Sequence, residues 1–210
     1  MKKLFLVLFT LFLFVGNVFS QSIGAFVGYG TSAFSDLENT DQAGYVPVGA
    51  HILFGTGGNF EIGAEINYAA VPFTFDVQDP RYDFSLGETK IGQLYYGALA
   101  KFKIGSGGGI LPYIRGGAGL YTGSIKMEYS EEFKKMYEES LGITLEDQET
   151  DLKSAFGFNV GGGAEIDFSS NNGIFAEFVY HFVKRELDKE GAESFTANNW
   201  AFHVGFHFGL

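Results

Sequence analysis

The sequence predicts an all-β fold: an eight-stranded antiparallel transmembrane β-barrel, an up-and-down meander with short turns at one end and long loops at the other. Three observations predict it. Residues 200–210 alternate strictly: Trp200, Phe202, Val204, Phe206, Phe208 and Leu210 are apolar, and Ala201, His203, Gly205, His207 and Gly209 between them are small or polar. Side chains alternate across a strand, so one face suits lipid and the other a narrow lumen. The length suits a tilted bilayer span of about 9–11 residues. The same period recurs in seven earlier runs whose connections are short and long in strict alternation. The chain also opens on an export signal pattern.

That pattern is Lys2 and Lys3, then an apolar run from Leu4 to Val15 broken only by Thr10, then Gly16-Asn17-Val18-Phe19-Ser20. A membrane anchor needs roughly 18 or more apolar residues, and this run is shorter. Residues 1–20 are therefore expected to be a signal peptide for Sec-dependent export, cleaved after Ser20. Residues 21–210 are the barrel domain.

The first run is Ile23 to Thr31, with Ile23, Ala25, Val27 and Tyr29 outward. The second is Tyr45 to Phe54, with Val46, Val48, Ala50, Ile52 and Phe54 outward, and a tight turn follows at Gly55 to Asn59. The third is Phe60 to Ala70. Its outer face is Phe60, Ile62, Ala64, Ile66 and Tyr68; Glu61, Gly63, Glu65 and Asn67 face in. After a loop at Val71 to Thr89, the fourth run is Lys90 to Ile104, with Gln93, Tyr95, Gly97, Lys101 and Lys103 inward. A glycine-rich turn leads to the fifth, Leu111 to Gly123, with Tyr113, Arg115, Gly117, Gly119 and Tyr121 inward. The longest loop spans Ser124 to Lys153. The sixth run is Ser154 to Phe168, the seventh Ile174 to Val183. A charged loop, Lys184 to Asn198, precedes the eighth.

Composition narrows the function classes. With no Cys there is no disulfide, thiolate metal site or cysteine nucleophile. The formal net charge of −11 becomes more negative once Lys2 and Lys3 are removed, which argues against nucleic acid as a partner. The competing fold is a soluble sandwich or lipocalin-like barrel. Its outward face would carry charge, and here it is aromatic and aliphatic. The aromatics also sort by height. Tyr29, Tyr68, Tyr96, Tyr180 and Trp200 lie toward the loop ends, and Phe54, Phe60, Phe102, Phe168 and Phe208 toward the turn ends, as girdles at two membrane interfaces do.

Leu111-Pro-Tyr-Ile-Arg-Gly-Gly-Ala-Gly-Leu-Tyr121 and Phe156-Gly-Phe-Asn-Val-Gly-Gly-Gly-Ala-Glu-Ile-Asp-Phe168 resemble strands of the OmpA/OmpX-type outer-membrane β-barrel superfamily. The resemblance covers the whole mature chain. It implies the outer membrane of a Gram-negative bacterium, short turns toward the periplasm, loops outward, and a barrel-only member with no peptidoglycan-binding domain after strand eight. Phe206, Phe208 and Leu210 resemble the C-terminal signal that the barrel-assembly machinery reads, departing from it in ending on Leu rather than Phe or Trp.

Inward positions carry Glu61, Glu65, Glu165, Asp167 and Glu177 against Lys101, Lys103 and Arg115. Matching Ile104 with Pro112 sets Lys101 opposite Arg115. Matching Phe168 with Ile174 sets Glu165 opposite Glu177, and equal heights for strands five and six set Arg115 beside Glu165. Buried charges need partners, so such a band is expected as lumen filling. Eight strands leave an interior just wide enough for side chains. A filled lumen admits no sugar, so Glu165 and Glu177 are not a glycosidase pair. His203 and His207 lie roughly 13 Å apart along a strand, too far to share a metal. No His has a Ser two residues away on its strand face, so a lipid-A deacylase site is not formed.

In the longest loop, Phe133, Met136, Tyr137 and Leu141 recur at helical spacing between a capping Ser130 and a stop at Gly142. Glu146, Asp147, Glu149 and Asp151 form an acidic run matching no EF-hand loop. The expected role is structural or surface-interacting, in adhesion or envelope integrity, through loops 71–89 and 124–153, without catalysis, cofactor or metal. The alternative is a small-solute or ion pore, and a lipid-A-modifying barrel enzyme stands behind that.

Overall fold

The computed structural model describes residues 20–32, 41–42, 44–55, 58–74, 87–105, 109–168, 172–188 and 194–209. The expected signal peptide up to residue 19, Leu210 and most of the second loop lie outside these. The strand segments are β1 (Ser20–Ser32), β2 (Asp41–Gln42), β3 (Gly44–Tyr45), β4 (Val48–Gly55), β5 (Phe60–Thr74), β6 (Gly87–Lys103) and β7 (Ile110–Tyr129). One helix, α1 (Glu131–Leu141), precedes β8 (Gln148–Asp167), β9 (Asn172–Phe182), β10 (Lys184–Glu186), β11 (Ser194–Thr196) and β12 (Asn199–Gly209).

The barrel wall has eight staves, β1, β4, β5, β6, β7, β8, β9 and β12, each antiparallel to its neighbours. It closes where β12 pairs β1, with Val27 opposite Val204. Closure satisfies the backbone inside a membrane because no edge is left unpaired. The alternation holds along every stave. Val27, Ile62, Tyr96, Ile114, Val160, Phe178 and Phe206 are exposed on the outer wall, whereas Leu53, Tyr95, Tyr121, Val179 and His203 are buried in the lumen. Tyr29, Tyr68 and Tyr96 are exposed on the outer wall, and there Phe178 stacks on Trp200 at 5.4 Å.

The walls are taller than the sequence pattern indicates. Strands β7 and β8 are each 20 residues long, about twice a tilted span. Both ends of the segment expected as a loop from Ser124 to Lys153 are instead ladder: Lys126 pairs Glu149, and Met127 pairs Gln148. Alternation of apolar and polar residues marks a strand only where one face meets lipid. Above the lipid the outer face meets water and turns charged at Lys126 and Glu128, while Ile125 and Leu152 pack inside, so the lipid-facing pattern is lost although the ladder continues. A bulge between Tyr121 and Gly123 marks the change. The expected helix is α1, with the Ser130 side chain accepting from the Phe133 N–H and Gly142 ending it in the left-handed conformation. The charged loop after β9 contains a separate hairpin, β10 with β11.

Candidate functional site

The lumen is filled in layers. At the turn end Lys103 Nζ reaches Glu61 Oε1 at 2.8 Å and Glu165 Oε1 at 2.6 Å. Lys101 also pairs with Glu165, and its Nζ lies 3.9 Å above the Tyr113 ring. His207 Nε2 is 2.8 Å from Asp167 Oδ1. These groups surround a vestibule of about 130 Å³, which His51 also lines.

An aromatic layer follows. Phe26, Tyr113 and Phe175 pack together, with the His203 ring stacked on Phe26 at 4.4 Å. His203 Nδ1 lies 3.1 Å from Glu177 Oε1, and the Tyr113 hydroxyl donates to Glu177 Oε2 at 2.9 Å. Beside it is the central ion cluster. Arg115 donates through Nη1 to Glu177 Oε1 and through Nη2 to Glu65 Oε2, each at 2.5 Å. Arg115 is 5% exposed, Glu65 and Glu177 3% each. Toward the loop end Tyr95 packs on Tyr121 at 4.7 Å, and the Tyr121 hydroxyl is 2.9 Å from His181 Nδ1. Tyr45 donates to Asn199 there at 2.8 Å. Val183 and Ala197 cover this layer.

All eight sequence-predicted charges face this interior, but their pairing differs from the expected one. Lys101 does sit opposite Arg115 in the ladder. Like charges facing each other repel; here each turns to a different carboxylate. Glu165 is not opposite Glu177: it pairs Phe175 in the ladder, and Glu177 pairs Gly163. The turn after β8 is tighter than expected, with Phe168 N–H donating to Asn172 O at 2.8 Å. The slip is two residues, so each side chain keeps its face. Arg115 is not beside Glu165 either. Arg115 pairs Gly161 and Glu165 pairs Leu111, because neighbouring barrel strands are staggered rather than level.

Two charge sets result: a turn-end set of Lys101, Lys103, Glu61 and Glu165, and a central set of Arg115, Glu65 and Glu177. Sequence reasoning placed Glu65 in the lumen but missed its pairing with Arg115, and it missed the roles of His203 and Tyr113. Their inward parity was the available signal. Parity assigns a face, but contacts across the lumen need the stagger as well.

Gly161 and Gly163 make the central contact possible. They hold the two lumen positions of β8 that lie between Arg115 on β7 and Glu177 on β9. A Cβ on Gly163 would stand 2.2 Å from the Ala176 carbonyl oxygen and 2.8 Å from Glu177 Cβ. The stave between the two charges is therefore bare, and they meet across it.

Outside the membrane, the acidic run does not converge. Asp147 accepts from the Tyr129 N–H at 3.0 Å and meets Lys134 at 3.2 Å, whereas Glu149 accepts from the Ser124 hydroxyl at 2.7 Å. Among the described residues no group of three or more His, Asp or Glu is placed to hold a metal ion. Glu128 lies between Lys126 at 2.7 Å and Lys90 at 2.9 Å, which pull its carboxyl down to about 2.

A family model described as "Outer membrane protein beta-barrel domain" matches residues 5–208. Solved structures share the fold, among them the following two. Neisserial surface protein A aligns with a TM-score of 0.57 at 11% identity, over 90% of this chain and 96% of that one. OprG of Pseudomonas aeruginosa aligns with a TM-score of 0.54 at 14% identity, over 91% and 96%. No curated protein matches this chain in sequence.

Proposed function

We propose, from the premise that this chain belongs to the outer membrane protein β-barrel domain family, that it is a closed-lumen barrel whose work is done at the cell surface. Its place is the outer membrane of a Gram-negative bacterium, with the apolar outer wall in lipid. The observation that carries the reading is the filled lumen. Arg115, Glu65 and Glu177 are buried together at its centre, with an aromatic layer on one side and the Tyr95–Tyr121–His181 layer on the other. A porin-type barrel instead leaves a water-filled channel.

The role is structural and surface-interacting, without catalysis. The histidine hydrogen bonds run to Glu177, Asp167 and Tyr121, not to a serine that a base would activate. The tall β6–β8 wall and α1 form the surface that meets an extracellular ligand. During insertion the barrel-assembly machinery reads Phe206, Phe208 and Leu210.

A second reading has one observation in its favour. The vestibule penetrates the turn end, so a pore formed by rearrangement of Lys101 and Lys103 is the alternative. A deletion strain separates the two. Loss of attachment or envelope integrity, restored by the full chain but not by a chain lacking residues 130–147, supports the surface role. Loss of small-solute uptake, restored equally by both, supports the pore.

A further inference from the structure

The inward face of β9 continues past the barrel wall. His181, Val183, Arg185 and Leu187 alternate with Phe182, Lys184 and Glu186, and the first three are buried. Val183 packs with Tyr95, Tyr121 and Ala197. Leu187 packs against the Tyr45, Ala69, Ile91 and Leu152 cluster. Between these apolar neighbours stands Arg185, 1% exposed.

Its methylene stem suits that setting, but its guanidinium does not. Arg185 Nε, Nη1 and Nη2 have no hydrogen-bond partner among the described residues. The adjacent Glu186 is on the opposite face, held by Lys153 at 2.6 Å. Tyr121, below, has its hydroxyl engaged by His181. Burial pulls Arg185 down to about 10, which still leaves it charged at neutral pH. The chain's other described arginine shows the contrast: Arg115 is buried between two carboxylates. A buried cation with five donors and no acceptor is costly, and a native fold keeps one where a partner arrives.

We propose that Arg185 anchors an oxyanion site at the outer mouth of the barrel, filled by the phosphate, sulfate or carboxylate group of a soluble ligand. The guanidinium fork matches such groups through paired N–H donors. Arg185 belongs to the β10–β11 hairpin itself, and the anion reaches it when that hairpin loosens. The hairpin is a two-stranded sheet of its own, with three residues in each strand. Its ties include the Ala197 N–H to Val183 O and the Asp188 N–H to Asp151 O, both 2.9 Å. Short ladders are what opens first in a fold. The net charge of −11 gives anions no general attraction, so binding here reports Arg185 itself. The site lies above the filled lumen and stands whether or not the lumen conducts.

The test uses the full mature chain in lipid-free detergent micelles with arginine ¹⁵Nε labelling. The sequence has three arginines, Arg81, Arg115 and Arg185, and Arg185→Lys assigns the signal by removing it. Sodium sulfate, phosphate and acetate are titrated at constant ionic strength against chloride. The expected result is a saturable shift of the Arg185 signal at millimolar anion, with Arg115 unmoved. Sulfate also raises the thermal midpoint of wild type more than that of Arg185→Met, a variant that keeps an apolar stem and loses the buried charge. No shift with any of the three anions, or equal stabilisation of both proteins, overturns the proposal. A shift seen only after lipopolysaccharide is added assigns the oxyanion to a lipid headgroup and overturns the soluble source.

Discussion

Arg115 on β7 and Glu177 on β9 meet at 2.5 Å across a stave that contributes only glycine between them. The two staves are not neighbours in the sheet, so the pair ties the wall together through the lumen. Removing Arg115 leaves Glu65 and Glu177 buried without their cation. Breaking a buried pair in this way costs about 3–5 kcal/mol. Arg115→Ala is expected to lower the urea midpoint of the folded barrel in detergent. Adding Glu65→Gln restores part of it, and adding Glu165→Gln does not, because Glu165 belongs to the Lys101–Lys103 set. Rescue by Glu165→Gln instead would contradict the observed stagger.

Gly163→Ala tests the bare stave directly. The new Cβ meets backbone at 2.2 Å, and backbone cannot step aside as a flexible side chain can. The variant is expected to unfold at lower urea than wild type. Gly116→Ala, whose Cβ would meet the Asn159 carbonyl oxygen at 3.7 Å and nothing nearer, is the matched control and leaves the midpoint unchanged. Equal losses in both variants would show that the Gly163 position has no special closeness.

The outer end of β7 carries a pH-dependent contact. Lys126 first, and Lys90 with it, hold the Glu128 carboxyl at about 2 against an ordinary 4.5. A depressed acid stabilises the fold above its unfolded value, and that contribution is lost as pH falls toward the folded one. A ¹³C carboxyl titration is expected to place the Glu128 midpoint far below 4.5 in wild type and to move it upward in Lys126→Gln. Raised salt moves it the same way, since the group is solvent-exposed. An ordinary midpoint in wild type would contradict the pairing.

The mature amino terminus is expected at Gln21. Ser20 is the first residue of β1, in register with β4 opposite Gly55, so cleavage after it leaves the ladder intact from the Gln21–Phe54 pair onward. N-terminal sequencing of protein from the membrane fraction checks this, and a start beyond Ile23 would remove ladder residues and contradict it.

The parts of the fold that touch lipid were legible in the sequence. Residues 200–210 announced an outward face because hydrocarbon demands apolar residues at every second position. Ser130 and Gly142 bounded α1 because capping is local chemistry. The upper halves of β7 and β8 were not legible, since their outward positions, such as Lys126 and Glu128, are charged where the membrane span is apolar. Hairpin β10–β11 was hidden by its charges, Lys184, Arg185 and Glu186. At the site, parity placed Arg115 and Glu177 in the lumen. Their contact was not legible, because it depends on a turn closed at Phe168 and on the stagger of β7 against β8, and neither leaves a mark on the alternation.

Single-channel recording of the purified wild-type chain in a planar bilayer measures the closed lumen most directly. With Arg115, Glu65 and Glu177 buried together between aromatic layers, the predicted result is no long-lived open state of porin size, across voltages of both signs. A stable, large conductance from correctly folded wild-type protein would contradict the filled lumen and the surface role that rests on it.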